Sequence, residues 1–131
     1  MRPVVLLGEE QPALRRRYRD FLRAHGCEVL EAEDMAQLVR LARECAPTHV
    51  VLDPDLGEGQ GHDAVLALLD LGLRSEIIFN TSRPCHLEDD FSSWIADAYV
   101  VRSPDVAVWG EALLPHLKPQ ALQAQATGGA Q

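Results

Sequence analysis

Lysine is almost missing from this chain. Twelve basic side chains stand among its 131 residues and Lys118 is the only lysine, so every other fixed cation is an arginine. Acidic side chains outnumber basic ones by 20 to 12, for a formal charge of −8, which argues against nucleic-acid binding by the domain itself. No apolar run approaches the roughly 18 residues of a membrane span, and "VVLL" near the start is too short for a signal-peptide core. Cys27, Cys45 and Cys85 are odd in number and lack paired metal spacing, so reduced thiols in a cytoplasmic protein without membrane insertion are expected. Aromatic residues make up only 5%, and a core must come from the aliphatics of a 47% apolar composition, enough for one domain.

What is present is a strict alternation of two periodicities. "PVVLLG" (3–8), "CEVLEA" (27–32), "THVVLD" (48–53), "EIIFNT" (76–81) and "AYVVR" (98–102) are short aliphatic runs that read as buried strands. Between them, "PALRRRYRDFLRAHG" places Leu14, Tyr18, Phe21, Leu22 and His25 at helical spacing, with Pro12 near its start and Gly26 as a stop. "EDMAQLVRLAREC" puts Leu38, Leu41 and Cys45 on one face, and "HDAVLALLDLG" ends in another glycine. Residues 82–95 predict a short or irregular helix. "SPDVAVWGEALLPHL" offers Ser103 as N-cap and Pro104 at the first helical position, with Pro115 ending the helix early. From residue 119 onward only small and polar residues remain, a disordered tail. Five strands alternating with helices imply a doubly wound parallel sheet covered on both faces, with any ligand at the carboxyl ends of the strands.

Those strand ends carry chemistry. Glu9 and Glu10 follow the first strand, Asp53 ends the third, Thr81 the fourth and Arg102 the fifth. Carboxylates at close quarters repel one another, and a divalent cation such as Mg²⁺ relieves the repulsion while also taking phosphate oxygens. An aspartate beside such an ion can attack phosphorus and become an aspartyl phosphate, its new charge shared by a hydroxyl and a fixed cation. The stretch "LDPDLGEGQG" (52–61) is therefore read as an aspartate-acceptor loop. A Walker-type phosphate cradle needs lysine and Ser/Thr after the last glycine, and His62 and Asp63 stand there instead.

In this order and spacing the sequence resembles the receiver domain of two-component response regulators, over about residues 2 to 118. "LLGEEQP" carries the acidic pair, "HVVLDPDL" the acceptor, "IIFNTS" the hydroxyl, and "DAYVVRSPD" the aromatic and the cation. The resemblance implies a flavodoxin-like five-stranded receiver fold, and the thirteen tail residues are too few to be expected to hold an output domain. It implies Asp53 as phosphoacceptor, and Mg²⁺ or Mn²⁺ held by Glu9, Glu10, Asp53 and the backbone carbonyl of Asp55. Thr81, Tyr99 and Arg102 would stabilise the phosphoryl group and switch the surface. The implied role is phosphoryl acceptance in a phosphorelay rather than enzymatic turnover. The donor would be a histidine kinase or histidine phosphotransfer protein, and a downstream protein would read the face around strands four and five.

The sequence departs from that pattern at two charged positions. Arg102 stands where the family keeps lysine, and arginine is a wider, planar fork. Glu10 stands where an aspartate usually touches the metal. A phosphorylation-independent pseudo-receiver, acting as an interaction module, is the alternative these departures raise. "VVLDPDLG" also resembles the first motif of haloacid-dehalogenase-like phosphatases, but that motif normally sits on an early strand. Arg15, Arg16, Arg19 and Arg23 form an outer basic face on the first helix, read as solvated, and His25 reads as a partly buried helix residue.

Overall fold

The computed structural model describes residues 2–53, 56, 61–70, 72, 74–82 and 96–117, at 61–65 for the backbone alone. The expectations for Asp55, for the short helix within 83–95 and for the tail lie outside the described residues. The strands are β1 (Val4–Gly8), β2 (Glu28–Ala32), β3 (His49–Leu52), β4 (Glu76–Thr81) and β5 (Ala98–Val101). The described helices are α1 (Pro12–Ala24), α2 (Met35–Cys45), α3 (Gly61–Asp70) and α4 (Val106–Leu113), followed by a 3-10 turn at Leu114–Leu117. Among them no helix is long and apolar enough to cross a membrane.

All four strand pairings are parallel, in the order β2-β1-β3-β4-β5. Alternation along each strand divides the interior into two cores. Val5, Leu7, Val51, Ile78 and Val100 pack with α1 and α4, whereas Leu6, Val50, Leu52, Ile77 and Phe79 pack with α2 and α3. This is the doubly wound sheet that the strand count implies. Its order reverses between β1 and β3, so the cleft beyond their carboxyl ends is where such folds bind ligands.

The helices follow the apolar spacing with three corrections. In α1, Leu14, Tyr18 and Leu22 are buried and Phe21 half-buried, but His25 is exposed at the helix end, with its Nδ1 2.9 Å from the Phe21 carbonyl. In α2, Asp34 caps the start by accepting from the Gln37 N–H at 2.8 Å; Leu38 and Ala42 are buried while Cys45 is exposed. Cys45 keeps the apolar spacing but is the last residue of α2, so spacing alone does not bury it. The third correction is the cap of α4. Asp105, not Ser103, accepts from the N–H groups of Ala107 and Val108. Ser103 is held elsewhere, its carbonyl and N–H both bonded to the Tyr18 hydroxyl. Pro115 ends α4 as expected, because it lacks the N–H that would bond back one turn.

α1 and α4 meet closely. The rings of Tyr18 and Trp109 stack at 3.8 Å between centroids, and buried Gly110 lies against Phe21. A Cβ at residue 110 would fall inside the Phe21 ring. Gly110→Ala should therefore destabilise by about 1–2 kcal/mol, an overpacking cost offset in part by better helix propensity. Urea unfolding of Gly110→Ala with and without Phe21→Leu checks the cause: the smaller side chain should recover part of the loss in the double variant.

Candidate functional site

Carrying the strand alternation one residue past each strand end places Glu9, Asp53 and Arg102 on the α1/α4 side of the sheet, in line with Leu7, Val51 and Val100. Gly8 pairs with Leu52, so Glu9 and Asp53 leave adjacent strands side by side. The Arg102 N–H donates to the Thr81 carbonyl at 2.9 Å, which extends the β4–β5 ladder to the residue that bears the cation. Tyr18 then holds the next residue, donating to the Ser103 carbonyl at 2.6 Å and accepting from its N–H at 3.2 Å.

From this pinned backbone the Arg102 side chain reaches across two strands to Glu9. Its Nε donates to Glu9 Oε1 and a terminal nitrogen to Oε2, each at 2.9 Å, a bidentate pair with parallel bonds. Glu9 is only 1% exposed. A third donor, the Gln11 N–H, reaches Oε2 at 3.0 Å, and the Glu9 carbonyl accepts from Arg15 at 2.8 Å. Arg102 Nε also lies 3.8 Å from Asp53 Oδ2, so one guanidinium faces two carboxylates. Hydrogen bonding to Glu9 is the main cause that holds the Arg102 pKa above its ordinary value; burial opposes it, and the charges of Glu9 and Asp53 add to it.

The structure thus gathers three of the expected site residues, Glu9, Asp53 and Arg102, at one end of the sheet. Thr81 is buried at the end of β4. Glu10 is exposed beside the cleft. Tyr99 is 39% exposed on the edge strand, with its ring edge-on to Phe79 at 5.9 Å. Leu56 is buried and donates its N–H to the Asp53 carbonyl at 2.9 Å. Arg15 and Arg19 of the expected solvated face are half-buried and paired with Glu31 of β2 at 3.2 Å, while Arg16 and Arg23 are exposed.

The acidic set fits a divalent ion poorly as it stands. A carboxylate offers about four acceptor positions, and on Glu9 three are filled by Arg102 and Gln11. Among the described residues no group of three or more His, Cys, Asp or Glu gathers so that it could hold a metal ion. Mg²⁺ demands near-octahedral oxygen ligation, so Glu9 could serve it only after the guanidinium had left.

One group behind the cleft carried no functional expectation in the sequence. Asn80, one residue before Thr81, accepts from Trp109 Nε1 at 3.1 Å in the buried interior. Its Nδ2 makes no full hydrogen bond, although the amide lies near enough to Tyr18 to lower that phenol's pKa a little against the larger upward push of burial. The Glu9–Arg102 pair had one signal in the sequence: the acidic pair and the arginine of opposite charge stand at strand ends that a parallel sheet brings to the same edge.

No family model matches the sequence, and no curated protein matches it. Solved structures do match. A signal receiver domain from Vibrio parahaemolyticus superposes with a TM-score of 0.79 at 17% identity, covering 96% of this chain and 98% of that one. The chemotaxis response regulator CheY4 of Vibrio cholerae gives 0.76 at 16% identity, over 88% and 98%. The response regulator TrrA of Thermotoga maritima, in complex with Mg²⁺ and BeF, gives 0.73 at 23% identity, over 90% and 100%. TrrA has also been crystallised with the histidine kinase ThkA.

The buried pair makes a stability prediction. Arg102→Met should strand the Glu9 charge and cost toward the low end of about 3–5 kcal/mol, since the Arg102 side chain is 21% exposed. Adding Glu9→Gln to Arg102→Met should recover most of that loss. Urea unfolding of the two single variants and the double one tests this, and simply additive costs would mean the pair is not coupled. With five parallel strands in the order β2-β1-β3-β4-β5 and these superpositions over nearly the whole chain, the protein has the fold of response-regulator receiver domains.

Proposed function

We infer that this chain is a receiver-type signalling module in which Asp53 accepts a phosphoryl group and a protein partner reads the result. The observation that carries this reading is the position of the Asp53 carboxylate, beyond the central strand β3, with the Arg102 guanidinium 3.8 Å from its Oδ2. An oxygen of Asp53 would attack the phosphorus of a phosphohistidine; the new O–P bond forms as the N–P bond breaks, and the imidazole leaves. Arg102 supplies a fixed positive charge for the phosphoryl oxygens, and the Thr81 hydroxyl a neutral donor. The chain would act as an acceptor rather than as an enzyme that turns over a substrate.

TrrA, a protein of the same fold, supports both the chemistry and the donor, through its complexes with Mg²⁺ and BeF and with a histidine kinase. For this chain the donor is a histidine kinase or histidine phosphotransfer protein. The signal would pass to the edge formed by β5 and α4. Tyr99, Val101 and Val108 expose apolar side chains there, and a hydrogen bond drawing Thr81 toward a phosphoryl oxygen would alter the strand next to Tyr99.

A second reading is favoured by one specific feature. With Glu9 committed to Arg102, the fold could serve as a phosphorylation-independent interaction module. Intact mass after incubation with acetyl phosphate and Mg²⁺ separates the two. One added phosphoryl, lost in Asp53→Asn, is the expected outcome; an unchanged mass at up to roughly tens of millimolar Mg²⁺, far above ordinary free levels, would leave only the second reading. A phosphoryl persisting on Asp53→Asn would move the acceptor elsewhere.

A further inference from the structure

The acidic end of the sheet already contains a cation. Arg102 fills two acceptor positions on Glu9 and stands 3.8 Å from Asp53, so a single guanidinium partly neutralises the pair that in the proposed function would face a divalent metal. Glu9 and Asp53 together carry two negative charges and Arg102 one positive, leaving a net charge of about −1 before any ion arrives. A divalent ion added beside the guanidinium would put two cations against each other in a site where Glu9 is 1% exposed. If the guanidinium departs, the same ion brings the cluster to neutrality and finds open the two Glu9 acceptor positions that Arg102 had held. The side chain has somewhere to go: it is partly exposed, while its backbone stays bonded to Thr81 and the following residue to Tyr18.

We propose that Arg102 is a resident counter-ion of this pocket, and that a divalent cation enters only by displacing its guanidinium from Glu9. The arginine thereby sets the metal affinity of the chain. The long planar fork is what makes this possible. Lysine at the same position is a single point charge and could not hold both oxygens of Glu9 through parallel bonds. The inference rests on the reading that this cleft is the signalling site, but it concerns the ion alone and needs no phosphoryl donor.

Titration of the full chain with Mg²⁺, and in parallel with Mn²⁺, tests it by amide shifts at residues 8–11 and 52–53 and by the ion's effect on melting temperature. Arg102→Met should bind the ion about ten- to a hundredfold more tightly than the wild type, the range commonly commanded by a neighbour of a metal ligand. Its melting temperature should rise with Mg²⁺ far more than that of the wild type. Adding Glu9→Gln should abolish the gain. Should Arg102→Met fail to fold, Arg102→Lys decides, with an expected affinity between those of the wild type and a freed site. Affinity equal to or weaker than the wild type in the folded variants, including no binding by any of them, would overturn the proposal. Failure of Asp53 to take a phosphoryl group would overturn the proposed function and leave this one standing.

Discussion

Glu9 is a carboxylate almost wholly removed from water at the end of a central strand, and the arrangement around the cleft follows from how that charge is answered. A buried carboxylate without a partner is costly enough that a chain would shift its protonation or its fold instead. Here the answer comes from Arg102, 93 residues away in sequence and two strands removed from the β1–β3 pair. The backbone that carries the guanidinium is itself held in place. That is accomplished by the Thr81 carbonyl on one side and the Tyr18 hydroxyl on the other. Tyr18 is in turn held by its stack on Trp109, so packing between α1 and α4 positions a charge at the cleft.

This chain of contacts ties the stability of the last helix to the electrostatics of the site. Trp109 joins the two, stacking on Tyr18 and donating to Asn80, which lies one residue before Thr81. A polar link through an apolar core carries weight because the surroundings offer no water to replace it. The same link means that movement at the end of β4 would be felt at α4 through a buried hydrogen bond as well as at the surface.

The arginine also sets the charge of the cleft. Opposite charges a few ångströms apart in a partly desolvated cleft interact strongly, and a bidentate fork adds direction to that attraction. The pocket is therefore already neutralised in part from within. In the proposed function, recruitment of an ion or a phosphoryl group would be an exchange of partners rather than the filling of an acidic hole.

Much of this was legible in the sequence. The five strands, their alternation with helices and the residues at their carboxyl ends follow from short aliphatic runs, apolar spacing and glycine stops, all local properties of the chain. The expected strand at 76–81 matches β4 residue for residue, and the others differ only at their ends. Parallel pairing then brings Glu9 beside Asp53 without further information. Local signals failed where a distant group outbid them. Ser103 has the chemistry of a cap, yet the Tyr18 hydroxyl takes its backbone and Asp105 caps the helix. Cys45 keeps an apolar spacing, yet it is exposed at the end of its helix while Ala42 is buried. Composition and order determined which charges stand at the edge of the sheet. Which of them pair was decided by tertiary structure alone, because a bidentate contact depends on strand register, a pinned backbone and a side-chain reach that no run of neighbouring residues encodes.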